Sequence, residues 1–353
     1  MHGPIPDRPE AITPAWLTAA LAASLPDAEV ARVAVLERHS GTTGRARLAL
    51  DYAAGSTGPA TVFAKLPPFD ATQRRLVAVT DMGRREARFY QALSGETPVR
   101  VPRCWFAAHG DAPTDYVLLL EDLEASGCTF PESVEDHARA HGREVVEALA
   151  RLHAHFWRDP RFASELAWLP RAMRGALGAK LVEQARAKFA AELPPVFAEL
   201  CTLYATHHPR ICDLWDEGDS TLVHGDVHAG NQFVDRGRIG FYDWAVVSRS
   251  PGIRDVGIYL CNSCPTELRR AEQDAWLTAY RQGLVDGGVA GAPTLEELWR
   301  GYRRAVLYGW VAATTTAAMG DAWQPVEIGQ KAMRVATQAC ADLETLEAFR
   351  EAL

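Results

Sequence analysis

The chain has 353 residues, 48% of them hydrophobic and 23% charged, with a formal net charge of −8. That length exceeds what one hydrophobic core usually serves, so two lobes are the default for a soluble globular protein of ordinary composition. The acidic balance argues against a nucleic-acid binder, which needs a basic face. The first residues, MHGPIPDRPE, show no basic segment followed by an apolar run, so no signal peptide is expected. The longest uncharged run, between Arg304 and Asp321, is too short and too rich in Thr and Gly for a membrane span and reads as a buried helix. No membrane partner is expected. Seven cysteines at irregular spacing include one CxxC, Cys261 and Cys264, with no second pair to complete a zinc site. Reduced thiols in the cytoplasm are the simpler reading.

In chain order, residues 10 to 25 read as an amphipathic helix with Thr13 as N-cap and Pro14 in its first position. VARVAVLERHS and RARLALDYAAG follow as two strands joined by the turn Gly41-Thr42-Thr43-Gly44. ATVFAKL is a third strand ending near Lys65. DMGRREARFYQALSG reads as a helix with Met82, Glu86, Phe89, Tyr90 and Leu93 on one face and Gly95 as its stop. VPRCWFAAHG and DYVLLLEDLEA are two more strands, so the first hundred and twenty residues are β-rich with one helix inserted. After Glu124 the pattern turns helical: a long period through residues 132 to 157, further helical patterns over 160 to 215, and again from Asp255 to the end. Between the last two stretches lie LVHGDVHAGNQFV and the strand-like IGFYDW. The domain expectation is a nucleotide-binding lobe over 1–120, a hinge over 121–125, and a catalytic and substrate-binding lobe over 126–353.

The loop LVHGDVHAGNQFV packs two His, one Asp and one Asn between apolar residues. Phosphoryl transfer needs a carboxylate to orient and deprotonate the attacking hydroxyl, and oxygen ligands to hold Mg²⁺ on the phosphates. Asp226 suits the first role; Asn231 and Asp243 suit the second. The same chemistry needs a cation on the phosphates, for which Lys65 is placed, and an acid to hold that cation, for which Glu86 is placed. It needs backbone amides over the phosphates, which the SGTTGR hairpin (Gly41, Thr42, Thr43, Gly44) offers, and an adenine slot, which Leu120–Leu123 offers through Glu121, Asp122 and Leu123.

These motifs, in this order, resemble the aminoglycoside-phosphotransferase and choline-kinase superfamily, which shares the protein-kinase-like fold. HGDVHAGN stands where that family has its catalytic loop, and FYDW where it has its second magnesium motif. EARFYQAL, LLLEDL, ALARLHAHFW and RDVGIYL are similar to the ecdysteroid-kinase-like group, which has bacterial members. The resemblance spans about Val33 to Leu260. It implies an α+β, two-lobed fold, β-rich at the N-terminus and mostly helical at the C-terminus. It implies ATP and Mg²⁺ as cofactors and a hydroxyl-bearing small molecule as substrate. It implies Asp226 as catalytic carboxylate, Asn231 and Asp243 as metal ligands, Lys65 on the phosphates with Glu86 beside it, His224 as a loop-holding residue and Asp255 as its brace. Gly41 and Gly44 do not reproduce the protein-kinase GxGxxG.

Plainer readings stand beside these. His228 is either a stabiliser of charge on the transferred phosphoryl group or a polar loop histidine with a local hydrogen bond. Lys65 alone would read as a strand-end lysine, and Glu86 as a solvated helix residue next to Arg85, except that Glu86 shares its face with Phe89 and Leu93. His153 and His155 read as helix-interface residues without chemistry. Trp276, Tyr280, Trp299, Tyr302, Tyr308, Trp310 and Trp323 read first as helical core, second as the lining of an acceptor pocket. Glu344, Glu347 and Glu351 could serve a polycationic acceptor or form a solvated helix face. Two other functions compete: a metal-dependent phosphohydrolase using the HxDxH of His224, Asp226 and His228, and a catalytically silent nucleotide-binding protein. A protein kinase fits poorly, because only AVVSRSPGIR separates Asp243 from Asp255. Neither the acceptor, the choice between ATP and GTP, nor the oligomeric state is legible.

Overall fold

The computed structural model describes residues 3–131, 139–171, 174–320 and 326–353. The chain divides into two compact units, Met1–Thr129 with Phe233–Val246, and Phe130–Gln232 with Val247–Leu353.

In the first unit, helix α1 (Pro14–Leu21) starts where Thr13 caps it: the Thr13 hydroxyl accepts from the Trp16 amide at 3.2 Å, and Pro14 occupies the first helical position. The helix is shorter than the sequence suggested, because Pro9–Ala11 forms a separate 3-10 turn ahead of it. Strands β1 (Val30–Ser40), β2 (Gly44–Tyr52), β3 (Thr61–Leu66), β4 (Cys104–His109) and β5 (Tyr116–Glu121) form one antiparallel sheet in the order β1-β2-β3-β5-β4. Alternation decides its two faces. Ala46, Leu48 and Leu50 of β2, Val62, Ala64 and Leu66 of β3, and Val117 and Leu119 of β5 join Trp16, Leu17 and Leu21 of α1 in one core. The intervening residues, among them Arg45, Arg47, Phe63 and Lys65, therefore point to the other face.

Helix α3 (Met82–Ala92) packs on β4 and β5 and buries Glu86, Phe89 and Tyr90. It ends at Ala92 with Leu93 as its C-cap, ahead of the expected stop at Gly95. A second inserted helix, α2 (Ala71–Ala78), corrects the single one expected; Asp70 caps it by accepting from the Thr72 and Gln73 amides. The ribbon β7 (Gln232–Asp235) and β8 (Arg238–Phe241) completes this unit's strands.

Among its described residues, the second unit is helical apart from the pair β6 (Thr221–Val223) and β9 (Ser248–Ser250). Its helices are α4 (Arg139–His155), α5 (Ala176–Phe189), α6 (Pro195–Trp215), α7 (Ile253–Asn262), α8 (Thr266–Asp286), α9 (Leu295–Met319), α10 (Val326–Asp342) and α11 (Thr345–Arg350). The start of the helical period expected from residue 132 lies outside the described residues, as does Trp323. Helix α9 opens with a capping box between Thr294 and Glu297 and carries the long uncharged run, burying Val306, Trp310 and Ala313 against α7 and α10. No described helix is long and apolar enough to cross a membrane. All seven cysteines are free, and burial pushes the Cys261 and Cys264 thiols up to about 12, as suits small core residues.

Candidate functional site

Within the first unit, three residues far apart in sequence meet. Lys65 lies 2.5 Å from Glu86 Oε2 and 3.0 Å from Asp243 Oδ1. Lys65 and Glu86 are buried, whereas the Asp243 side chain is 31% exposed and so can reach a ligand. Burial alone would lower the Lys65 ammonium; Asp243 and Glu86 together hold it above its usual value. Burial pushes Glu86 up to about 7 against the pull of Lys65, with the Asp243 charge adding to the rise. The geometry is fixed from the following residue: the Trp244 amide donates to Glu86 Oε1 at 3.2 Å, and its indole stacks on Phe89, one turn after Glu86, with ring centroids 4.1 Å apart. Asp243 itself adopts φ +61, the left-handed conformation in which non-glycine residues are uncommon.

Around this triad two expected contributions change character. In the turn, the Gly41 amide donates to the Thr43 carbonyl at 3.1 Å, and Ser40 pairs with Gly44. A side chain at Gly44 would come within 2.5 Å of Phe69 and of the Pro67 carbonyl. Gly44 is thus a packing glycine and the Gly41 amide is committed, which leaves Thr42 and the buried Thr43 of the four. At the end of β5 the side chains are also committed. Glu121 takes Arg100 at 2.7 and 2.8 Å and the Arg103 amide at 2.9 Å; Asp122 takes Arg47 at 2.6 Å and the Ala125 amide at 3.2 Å. Against burial, these hydrogen bonds hold both carboxyls below their ordinary range. The Asp122 and Leu123 carbonyls accept from the Ser126 and Cys128 amides, so both are committed to the chain's own backbone.

In the second unit, β6 delivers the loop His224–Asn231. Gly225 turns it at φ +87. Asp255, fully buried on α7, accepts from the His224 amide at 2.7 Å and the Gly225 amide at 2.9 Å. Burial raises the Asp255 carboxyl, but His153, His224 and the Gly225 amide outweigh it and hold the carboxyl below its ordinary range. His224, also buried, accepts from the Asp226 amide through Nδ1 at 3.2 Å. Asn231 Nδ2 donates to the Asp226 carbonyl at 2.9 Å and to Asp226 Oδ2 at 3.1 Å. Ser263 receives the Ala229 amide and Gln232 donates to the Val227 carbonyl. The outcome is a rigid loop that presents one carboxylate, Asp226, with a side chain 40% exposed. His228 accepts from the Gly230 amide through Nδ1 at 3.0 Å and brings Nε2 to 3.5 Å from Asp226 Oδ2.

Sequence reasoning missed His153 and Tyr280. His153 Nε2 meets Asp255 Oδ2 at 3.3 Å, its Nδ1 meets the Tyr280 hydroxyl at 2.8 Å, and its carbonyl accepts from Thr221 at the start of β6. The carboxylate fixes one side of the ring, with Nε2–H donating to Asp255. The motif ALARLH shows no trace of this partner, which lies 102 residues away.

The aromatic set is mostly core. Trp276, Tyr280, Tyr302 and Trp310 are fully buried, and only Trp299 and Tyr308 of the described members are partly exposed. Glu344, Glu347 and Glu351 are exposed, with Glu344 beside Arg303 and Glu347 beside Arg350. The HxDxH reading loses ground, since both imidazoles turn a ring nitrogen to loop backbone and His224 is buried.

A model of the phosphotransferase enzyme family matches residues 47–298. No curated protein sequence matches the chain. Among solved structures, wild-type aminoglycoside 2'-phosphotransferase-IIIa in complex with GDP aligns at a TM-score of 0.54 and 13% identity over 92% of this chain and 98% of that one. Choline kinase from Cryptosporidium parvum aligns at 0.52 and 11% identity over 90% and 89%, and ethanolamine kinase from Plasmodium vivax at 0.54 and 11% identity over 86% and 81%. The match covers most of the chain, and the fold is the two-lobed, protein-kinase-like one of these structures: the chain belongs to the phosphotransferase enzyme family.

Proposed function

We propose that the protein is an ATP-dependent O-phosphotransferase acting on the hydroxyl of a small molecule in the cytoplasm. The observation that carries this is the buried Lys65 held between Glu86 and Asp243, residues 178 positions apart at the extremes, in a chain that also presents Asp226 on a braced loop. In this reading the first unit binds the nucleotide. Lys65 contacts the phosphates, Glu86 fixes its position, and the Leu123 amide meets the base. The second unit supplies catalysis and the acceptor. Asp226 takes the proton of the acceptor hydroxyl as its oxygen bonds to the γ-phosphorus and the β–γ bridging bond breaks, releasing ADP. Asn231 keeps the Asp226 carboxylate oriented, and His228, with Nε2 3.5 Å from Asp226 Oδ2, balances charge on the transferred group. The Asp243 carboxylate and the Asn231 amide oxygen are hard donors that suit Mg²⁺, which when bound neutralises phosphate charge.

The relatives act on aminoglycosides, choline and ethanolamine by name, all alcohols. The exposed, arginine-neighboured Glu344 and Glu347 make no acidic pocket for a polycation. The test is ADP release from Mg-ATP and Mg-GTP against separate pools of aminoglycosides, macrolides, sterols and amino alcohols, with Asp226→Ala as the blank. Release from one pool, absent in the blank, supports the reading and identifies the acceptor class. Phosphate release from phosphoesters without nucleotide would favour the hydrolase instead.

A further inference from the structure

We infer that Arg45 is a second phosphate-binding cation beside Lys65, replacing contacts that the short turn before it does not offer. The inference rests on the nucleotide-binding reading of the first unit. Arg45 is the first residue of β2 after Gly44 and the direct antiparallel partner of Lys65. Residues directly opposite in such a pair share a face, with Cβ atoms about 5 Å apart. Their neighbours Gly44, Ala46, Ala64 and Leu66 are buried, and the last three belong to the core under α1, so Arg45 and Lys65 both point away from it.

Charge on that face is unevenly matched. Lys65 is shared by Glu86 and Asp243, and Arg47 by Asp122 and Glu124. Arg45 makes no ion pair among the described residues, and its Nε is buried without an acceptor. An arginine is always charged, so this site carries a cation that the protein does not neutralise. The residue as a whole remains partly exposed, which lets an anion reach the guanidinium. The turn itself has its Gly41 amide tied to Thr43 and no room at Gly44. A guanidinium fork at its exit offers a polyphosphate the donors that the committed amides do not.

The test measures binding rather than turnover. Affinities for a non-hydrolysable ATP analogue with Mg²⁺ and for adenosine are compared in the wild type, Arg45→Gln and Arg45→Lys. Arg45→Gln should weaken the ATP analogue by about tenfold or more, the scale of one lost charge-assisted hydrogen bond, and leave adenosine within about twofold. Arg45→Lys should recover part of the loss, and the salt dependence of analogue binding should flatten in Arg45→Gln. Unchanged analogue affinity in Arg45→Gln, or an equal loss for adenosine, overturns the assignment. A wild type that binds neither compound removes the nucleotide-binding reading itself, and Arg45's role with it.

Discussion

Replacing Lys65 by Met would strand Glu86 in a fully buried position. Its Oε1 would keep the Trp244 amide, but its Oε2 would lose the ammonium 2.5 Å away. Removing one partner of a buried ion pair costs about 3–5 kcal/mol. Glu86 has a way to reduce that cost, because burial has already raised it to about 7 from 4.5. Without Lys65 it rises further. A carboxyl raised in the folded state holds its proton there while the unfolded chain has lost it, so stability falls as pH climbs from the unfolded value toward the folded one. The variant's loss should therefore be small at pH 6 and full at pH 8.5. One proton changes stability by at most about 1.4 kcal/mol per pH unit, and wild-type Glu86 follows the same slope up to about 7, so the variant's loss can differ between the two conditions by up to about 2 kcal/mol. Hydrogen exchange of the α3 amides across a urea series, with EDTA present, reads the first unit without assuming that both units unfold together. Adding Glu86→Gln to Lys65→Met should restore stability at pH 8.5 by removing the stranded acid. An equal loss at both pH values, unrelieved by Glu86→Gln, would refute the buried-pair account.

Asp226→Ala should abolish turnover and leave Mg-ATP affinity within a fewfold of wild type; isothermal titration beside the ADP assay checks both. Asp243→Ala should instead weaken nucleotide binding in the presence of Mg²⁺ and change it little in EDTA, and a variant that binds Mg-ATP normally would remove Asp243 from the metal role. Asp255→Ala leaves the His224 and Gly225 amides and the His153 Nε2–H without their acceptor, at about 1–3 kcal/mol each, so the second unit should lose several kcal/mol in urea unfolding. Because Asp255 is held below its ordinary range, that stabilisation should be present above about pH 4 and fade as pH falls through the folded value.

Much of the architecture was legible because local and global signals agree. Thr13-Pro14 marks a capped helix start, the alternation in RARLALDY marks a strand with one buried face, and Glu86, Phe89 and Tyr90 recur at helical spacing. Helix α2 was not legible, since ATQRRLVA is too polar to show an apolar stripe; the capping Asp70 was its one available signal. The roles of Arg45 and His153 were hidden for a different reason. A strand-end arginine looks solvated until strand register sets it opposite Lys65, and a helix histidine looks like packing until Asp255 arrives 102 residues later. The buried aromatics followed the commoner rule, that large rings at helical spacing fill cores.

Glycines give the sharpest contrast between pattern and geometry. HxDxH suggests three ligands on one side only if the segment is extended, because side chains then alternate. Gly225 breaks the extension with φ +87, turning His224 into the core while Asp226 stays exposed. The turn glycine Gly41 is the opposite case: its φ is not positive, and the atoms nearest an added Cβ belong to His39 at 3.5 Å, an ordinary contact. Gly225→Ala should therefore cost about 1–2 kcal/mol in the second unit through left-handed strain and reduce turnover by displacing the Asp226 carboxylate. Gly41→Ala should leave both stability and ATP affinity nearly unchanged. Urea unfolding and nucleotide titration of the two variants side by side measure this. A large loss of ATP affinity in Gly41→Ala would mean that the turn opens to cradle phosphate after all, and that the amide now bonded to Thr43 is released when nucleotide binds.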